Sequence, residues 1–147
     1  MKLLSFVVLC ALAAGACSKE DGNNLPTTPT TPTTTVNVPF STVDIRVGTG
    51  AEATTGRAVS VNYALYHYSA TATDNKGGGI QTAPFSFIVG DNRTIPGFSQ
   101  ATLGMKVGGL RRAIVPPSLA YGANPPPGQG IGVNETLVFE IELLAVQ

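Results

Sequence analysis

The chain has 147 residues, with nine basic and nine acidic side chains. Its two cysteines, Cys10 and Cys17, both lie near the N-terminus, so a disulfide framework is excluded for the rest of the chain, which must be stabilised by its core. Without the first sixteen residues the chain has eight basic and nine acidic side chains, and this balance indicates neither nucleic acid nor anionic lipid as a partner.

The first sixteen residues have the pattern of a secretory signal peptide. Lys2 gives a positive start, and the apolar run at residues 3–12 is too short to span a bilayer as a helix. Ala14, Gly15 and Ala16 form a small-residue cleavage site directly before Cys17. We therefore expect a signal peptide at residues 1–16 and export of the remaining chain.

Cys17, placed immediately after the cleavage site, resembles the lipobox cysteine of bacterial lipoproteins, although that family usually has leucine at the position of Ala14. The resemblance implies lipidation of Cys17 and a location in the periplasm or cell envelope, anchored to the outer membrane through the lipid. Ser18 fits outer-membrane sorting by the same analogy. Simple secretion as a soluble protein is the alternative, and a single-helix membrane anchor is disfavoured by length.

Residues 17–39 are expected to be a linker. Within them, residues 25–35 read LPTTPTTPTTT, a repeat that has no apolar face to bury. Proline-rich segments of this kind are extended and semi-rigid, at about 3 Å per residue. We expect a spacer that holds the following domain away from a membrane, and an ordinary disordered tail is the alternative.

Residues 40–147 are enough for one domain with one hydrophobic core. Apolar residues alternate with other residues, or form short runs, in five predicted strands. These strands cover residues 43–47, 59–65, 85–89, 110–115 and 137–143. Two segments are predicted loops of the length that usually frames a site. Residues 69–79 are polar and end in three glycines, and residues 122–132 contain three consecutive prolines and several glycines.

Residues 94–106 are the one segment of the domain whose apolar residues recur at helical spacing, on a face that has one polar member. The positions on this face are Ile95, Phe98, Thr102 and Met105. Thr94 is a candidate N-cap, Pro96 suits the first turn, and the glycines at 108 and 109 are expected to end the helix. The predicted fold class is α+β, with about five strands in a twisted antiparallel sheet wrapped around one short helix.

The domain has few groups for acid–base or metal chemistry. It has no cysteine nucleophile and no acidic pair at metal-ligand spacing, and we expect no metal and no cofactor. His67 lies on a predicted strand and is interpreted as an exposed structural residue rather than a base. The glycines at 77–79 lack the lysine and helix of a phosphate loop and are interpreted as a flexible turn.

Aromatic and apolar side chains remain as candidates for a site, on elements that converge near the helix start. They are Tyr63, Phe85, Ile95, Phe98, Tyr121, Ile131 and Phe139. An apolar hollow with one or two phenol hydroxyls suits a ligand pocket. The same residues also suit the ordinary core of a small domain, and the residues alone leave both interpretations open.

Five consecutive blocks resemble those of FKBP-type peptidyl-prolyl cis/trans isomerases. They read VSVNYALY (59–66), PFSFIVG (84–90), IPGFSQATLGMKVGG (95–109), RAIVPPSLAYG (112–122) and ETLVFEIELL (135–144). The blocks stand in the family's order and spacing and cover nearly the whole domain. The resemblance implies an antiparallel sheet over one short helix, with a proline pocket at the helix start.

The resemblance also implies which residues act. The catalytic positions fall on Tyr63, Ile95, Phe98 and Tyr121, and the substrate-binding positions on Ile80, Gln81, Phe85, Thr94, Ile131 and Phe139. In the family pattern, the Tyr121 hydroxyl and the Ile95 backbone N–H hold the carbonyl that precedes the proline. Phe98 replaces the usual tryptophan floor, and Thr94 replaces a usual valine.

The larger departure from the family precedes Pro84. Family members usually have a Phe-Asp pair followed by a polar loop, whereas this chain has Ile80-Gln81 and about five fewer loop residues. Ile80 supplies an apolar wall, but Gln81 lacks the carboxylate that accepts hydrogen bonds across the family's pocket. We therefore expect binding to be retained, turnover to be modest and affinity for the family's macrolide inhibitors to be weakened.

The expected function is that of a monomeric peptidyl-prolyl isomerase that assists the folding of exported proteins. Its expected partners are proline-containing polypeptides and macrolide inhibitors, with membrane contact only through a lipid on Cys17. A non-catalytic module that binds proline-containing partners is the alternative, since it would keep the cleft without the carboxylate. A plain secreted β domain would require the five ordered blocks to be coincidence.

Overall fold

The computed structural model describes residues 38–147. Five strands and one helix follow the order β1 (Ser41–Arg46), β2 (Ala58–Tyr68), β3 (Lys76–Ile88), α1 (Pro96–Thr102), β4 (Leu110–Val115) and β5 (Leu137–Val146), with a 3-10 turn at Pro117–Leu119. The predicted fold class is confirmed. The predicted signal peptide, Cys17 and the Thr-Pro repeat at residues 25–35 lie outside the described residues. None of the helices described is long and apolar enough to cross a membrane.

The sheet has the strand order β1-β4-β5-β2-β3, and every neighbouring pair is antiparallel. The central strand β5 pairs Phe139 with Leu65 of β2 and with Ala113 of β4. Alternate residues of β5 enter the core, because side chains of a strand point to opposite faces. Phe139 and Ile141 are therefore both buried on the face that carries the helix.

The edge strand β1 differs from the centre of the sheet. β1 is a strand at the predicted place, but all six of its residues are exposed. Val43 and Ile45 are 61% and 46% exposed and do not join the core, although their alternation is the same as that of buried strands. A single-face alternation thus identifies a strand without deciding whether its apolar face is covered.

The helix is shorter than predicted at both ends. Its N-cap is Ile95, which has extended backbone and no side-chain cap, so the prediction of Thr94 as N-cap is wrong. Pro96 occupies the first turn as expected. The helix ends at Thr102 rather than at the glycines 108 and 109, and Met105 is buried beyond its end.

Long-range hydrogen bonds explain the early end of α1. Gly104, with φ +74°, turns the chain, and its N–H donates to the Ala53 carbonyl at 2.8 Å. Arg111 of β4 donates from Nη1 to the carbonyls of Ala101 and Leu103, both at 3.0 Å. Carbonyls that a longer helix would bond are thus satisfied by tertiary partners.

The predicted flexible turn at 77–79 is wrong, because these glycines belong to β3. The turn lies earlier, where the Ser69 N–H donates to the Asn75 carbonyl at 2.9 Å and Asn75 has φ 58°. Gly79 pairs with Tyr66, and a Cβ on Gly77 would lie 3.1 Å from the His67 carbonyl oxygen. Gly77 therefore permits a close strand contact that a larger residue would strain.

Candidate active site

A cavity of about 240 Å³ lies at the start of α1, between that helix and strands β2, β3 and β5. Its walls combine aromatic rings with a few polar side chains. They are formed by Tyr63, Leu65, Gln81, Phe85, Arg93, Thr94, Ile95, Phe98, Tyr121, Gln129 and Phe139. No aspartate or glutamate lines this cavity, so the site contains no carboxylate for acid–base work.

Phe98 forms the buried floor of the cavity and is 4% exposed. Its ring meets those of Phe139, Tyr63 and Phe85 edge-on, with centroids 5.2, 5.5 and 6.1 Å apart. Edge-to-face contacts of this kind stabilise aromatic clusters beyond the area they bury. The ring is therefore held on three sides and presents an apolar surface to the cavity.

The position of Phe98 depends on how closely α1 approaches β4. A Cβ on Gly97 would collide with the Val115 side chain and lie 3.0 Å from the Leu119 carbonyl oxygen. The segment before the helix is also tied down, since the Gly90 N–H donates to the Ser99 hydroxyl at 2.7 Å. These contacts bring the first turn of α1 against the sheet, where Phe98 reaches the aromatic cluster.

Tyr63 and Tyr121 supply the phenol groups of the cavity. Burial raises the pKa of both hydroxyls, and the nearby Tyr63 raises the pKa of Tyr121 further. Both phenols therefore stay protonated at neutral pH and can donate hydrogen bonds. Tyr121 is held by the turn before it, because the N–H of Gly122 donates to the Pro117 carbonyl at 3.0 Å.

Ile95 places a backbone donor beside these phenols. Its carbonyl accepts from the Phe98 N–H at 3.1 Å, which begins the helix. Within residues 38–147, its own N–H donates none of the backbone hydrogen bonds that turns, loops and helix caps form. A cavity residue with a free N–H suits the binding of a carbonyl oxygen.

Gln81 lies on β3 and lines the cavity, so the shortened segment before Pro84 still brings residue 81 to this site. Its Nε2 donates to the Tyr63 hydroxyl oxygen at 2.9 Å. Because the oxygen of Tyr63 accepts this bond, the hydroxyl hydrogen remains available to another acceptor. A carboxylate at the same position would instead take that hydrogen.

Eight of the ten residues implied by resemblance line the cavity, and Ile80 and Ile131 do not. Ile131 is buried in the hydrophobic core, and Ile80 is partly buried and packs against that core. Sequence reasoning missed Leu65, Arg93 and Gln129. Leu65 shares the face of Tyr63 by period two and could have been found, whereas Arg93 and Gln129 carry no local signal.

His67 lies outside the cavity, where its Nδ1 pairs with the Glu135 carboxylate. The other oxygen of that carboxylate accepts from the Gly132 N–H at 2.5 Å. The pair thus ties β2 to the loop before β5, a structural role. Within residues 38–147 no three His, Cys, Asp or Glu side chains are grouped to hold a metal ion.

The sequence of this domain matches a known protein family. Residues 50–144 match the family described as FKBP-type peptidyl-prolyl cis-trans isomerase. This chain belongs to that family. The match spans the cavity, since it includes β2, β3, α1, β4 and most of β5.

Individual FKBP relatives extend the comparison. The "39 kDa FK506-binding nuclear protein" of Drosophila melanogaster is 43% identical over 106 residues, which are 71% of this chain and 28% of that protein. The "FK506-binding protein" of Streptomyces anulatus is 39% identical over 107 residues, 70% of this chain and 82% of that protein. Several longer relatives are thus matched over only 20% to 28% of their length.

The FKBP fold is also found in solved structures. A peptidyl-prolyl cis-trans isomerase from Pseudomonas syringae pv. tomato has a TM-score of 0.60 and 28% identity, over 74% of this chain and 75% of that one. FkpA from Escherichia coli has a TM-score of 0.59 and 31% identity, over 74% of this chain and 48% of that one.

Proposed function

We propose that this chain catalyses the cis–trans isomerisation of X-Pro peptide bonds in exported polypeptides and thereby assists their folding. The observation that carries the proposal is the cavity at the start of α1, where a buried Phe98 floor lies beside the Tyr121 phenol and the Ile95 backbone. A proline ring fits on an apolar aromatic floor, while the carbonyl before it can reach the polar wall.

The reaction is slow in water because rotation about the C–N bond removes amide conjugation, a barrier of roughly 18–20 kcal/mol. A planar amide is more polar than a twisted one, so an apolar cavity disfavours the ground state more than the transition state. The floor and walls formed by Phe98, Phe85 and Phe139 supply this environment. No general base is needed, since no proton is transferred.

Hydrogen-bond donors assist further if they hold the carbonyl in the twisted geometry. The Tyr121 hydroxyl and the Ile95 N–H are the donors proposed for this role. Each is worth about 1–3 kcal/mol, or roughly one to two powers of ten in rate. The raised pKa of Tyr121 keeps its hydroxyl protonated at neutral pH, as a donor requires.

Gln81 sets the expected efficiency. Its amide donates to Tyr63, so the cavity lacks the charge-assisted hydrogen bond that a carboxylate would make. We propose modest turnover with simple X-Pro peptides and weakened macrolide binding. The same observation favours one alternative, a module that binds proline-containing partners with little turnover.

The proposed setting is the periplasm or cell envelope, with attachment to the outer membrane through a lipid on Cys17. The leader at residues 1–16 and the Thr-Pro spacer at 25–35 support this location. Proline-containing exported chains are the proposed clients, met by a monomeric domain at the end of its spacer. Secretion as a soluble protein is the alternative.

A protease-coupled assay with a chromogenic tetrapeptide that contains one X-Pro bond tests the activity. The native chain should accelerate the slow phase, and Tyr121→Phe should lower kcat/KM about ten-fold or more, since it removes one donor and keeps the ring. Peptide binding without acceleration would favour the alternative module. Equal activity in the native chain and the variant would place the reaction elsewhere.

A further inference from the structure

The Thr94 hydroxyl stands out among the polar groups of the cavity. Thr94 lines the cavity wall, and its Oγ1 is sealed from solvent without a hydrogen-bond partner among residues 38–147. Leaving a buried hydroxyl unpaired costs on the order of 1–3 kcal/mol by protein mutational data, and folded proteins rarely tolerate it. Such a group calls for a functional explanation.

Thr102 shows what a buried threonine ordinarily does. Its side chain is fully buried, and Oγ1 donates to the Phe98 carbonyl at 3.0 Å inside the helix. Thr94 precedes the helix and has extended Ile95 after it, so it has no carbonyl four residues back in a helical turn to accept its hydrogen. The same side chain is therefore satisfied at one position and orphaned at the other.

The backbone that carries Thr94 is held in place from both sides. Before it, the Arg93 N–H donates to the Asp91 carboxylate at 3.1 Å and the Asp91 N–H donates to the Ile88 carbonyl at 3.1 Å. After it, Ile95 begins the helix. Rotation about the Cα–Cβ bond exchanges the positions of hydroxyl, methyl and hydrogen, so Thr94 can present its hydroxyl to the cavity without backbone motion.

We propose that the Thr94 hydroxyl donates a hydrogen bond to a backbone carbonyl of the bound polypeptide, next to the proline, and so favours peptide clients over purely apolar ligands. The inference rests on the proposed isomerase function. Thr94 and Ile95 are consecutive residues of one wall, so the hydroxyl and the N–H of Ile95 approach the same stretch of client backbone. The client then supplies the hydrogen-bond partner that no protein group within residues 38–147 provides.

Thr94→Val in the full chain tests the inference, because valine keeps the shape and removes the hydroxyl. We expect kcat/KM for the chromogenic X-Pro tetrapeptide to fall roughly three- to ten-fold, through KM, as for one lost hydrogen bond. We expect the melting temperature of the free protein to stay unchanged or rise, since no internal bond is lost. Thr94→Ser keeps the hydroxyl and should retain the native KM.

Thr102→Val is the matched control, since it removes a hydroxyl that is already paired inside the protein. It should lower the melting temperature and leave kcat/KM within two-fold of native. A kcat/KM within two-fold of native for Thr94→Val, or a melting temperature that falls as far as that of Thr102→Val, would overturn the inference. A native chain that neither binds nor isomerises the peptide would instead refute the proposed function itself, and Tyr121→Phe measured in parallel separates the two failures.

Discussion

Replacing Phe98 with alanine tests whether the aromatic floor is needed for turnover as well as for folding. The ring is 4% exposed and has four aromatic neighbours, with centroids between 5.2 and 6.1 Å away. Truncating a buried phenylalanine to alanine costs about 3–5 kcal/mol in the free energy of unfolding. Domains of this size have about 5–15 kcal/mol in total, so Phe98→Ala should fold but be strongly destabilised.

Phe87→Ala separates the loss of the floor from the loss of stability. Phe87 is 7% exposed, and its ring centroid lies 5.4 Å from that of Phe98 and 5.5 Å from that of Phe85. Its truncation should therefore cost a similar free energy of unfolding. Phe87 does not line the cavity at the start of α1, so the floor remains in this variant.

Urea unfolding gives the stability of both variants, and the protease-coupled assay gives kcat/KM per folded molecule. We expect Phe98→Ala to lose at least ten-fold in kcat/KM and Phe87→Ala to lose about two-fold or less, at comparable stability. Phe98→Leu, which keeps most of the apolar volume, should fall between native and alanine in both measurements. Equal losses of activity in Phe98→Ala and Phe87→Ala would refute the assignment of Phe98 as the floor.

Three further predictions concern charge, the missing carboxylate and the anchor. Burial raises the pKa of Tyr63 and Tyr121 above the ordinary tyrosine value of about 10. The contribution of these phenols to the free energy of unfolding is therefore fully present below about pH 10 and is lost as pH rises through the raised pKa values. The kcat/KM profile should accordingly stay flat from about pH 6 to pH 9, and a fall within that range on a tyrosine titration would contradict the donor role. Gln81→Asp supplies an acceptor for the Tyr63 hydroxyl and should increase macrolide affinity measured by calorimetry, whereas unchanged affinity and turnover would show that residue 81 does not influence the ligand. Cys17→Ser should move the protein from the detergent phase to the soluble fraction in a detergent partition, and identical partition of both proteins would rule out the lipid anchor.

The sequence by itself determined the parts of this protein that depend on local periodicity. Alternation with period two located the strands of the sheet, and the three-residue step from Ile95 to Phe98 placed both on the cavity side of the helix start. These patterns are readable because a strand or helix face repeats along the chain itself. The ordered blocks from residue 59 to residue 144 indicated the family in the same way.

The tertiary structure alone decided features that depend on contacts between distant segments. Gly104 donates to Ala53, and Arg111 donates to carbonyls in the last turn and at the C-cap of α1. These bonds end the helix, and helical spacing cannot report them. Pairing with β2 extends β3 across glycines whose local preference is a turn. The orphaned hydroxyl of Thr94 likewise becomes visible only when its surroundings are known, because hydrogen-bond satisfaction is a property of the folded environment and not of the residue type.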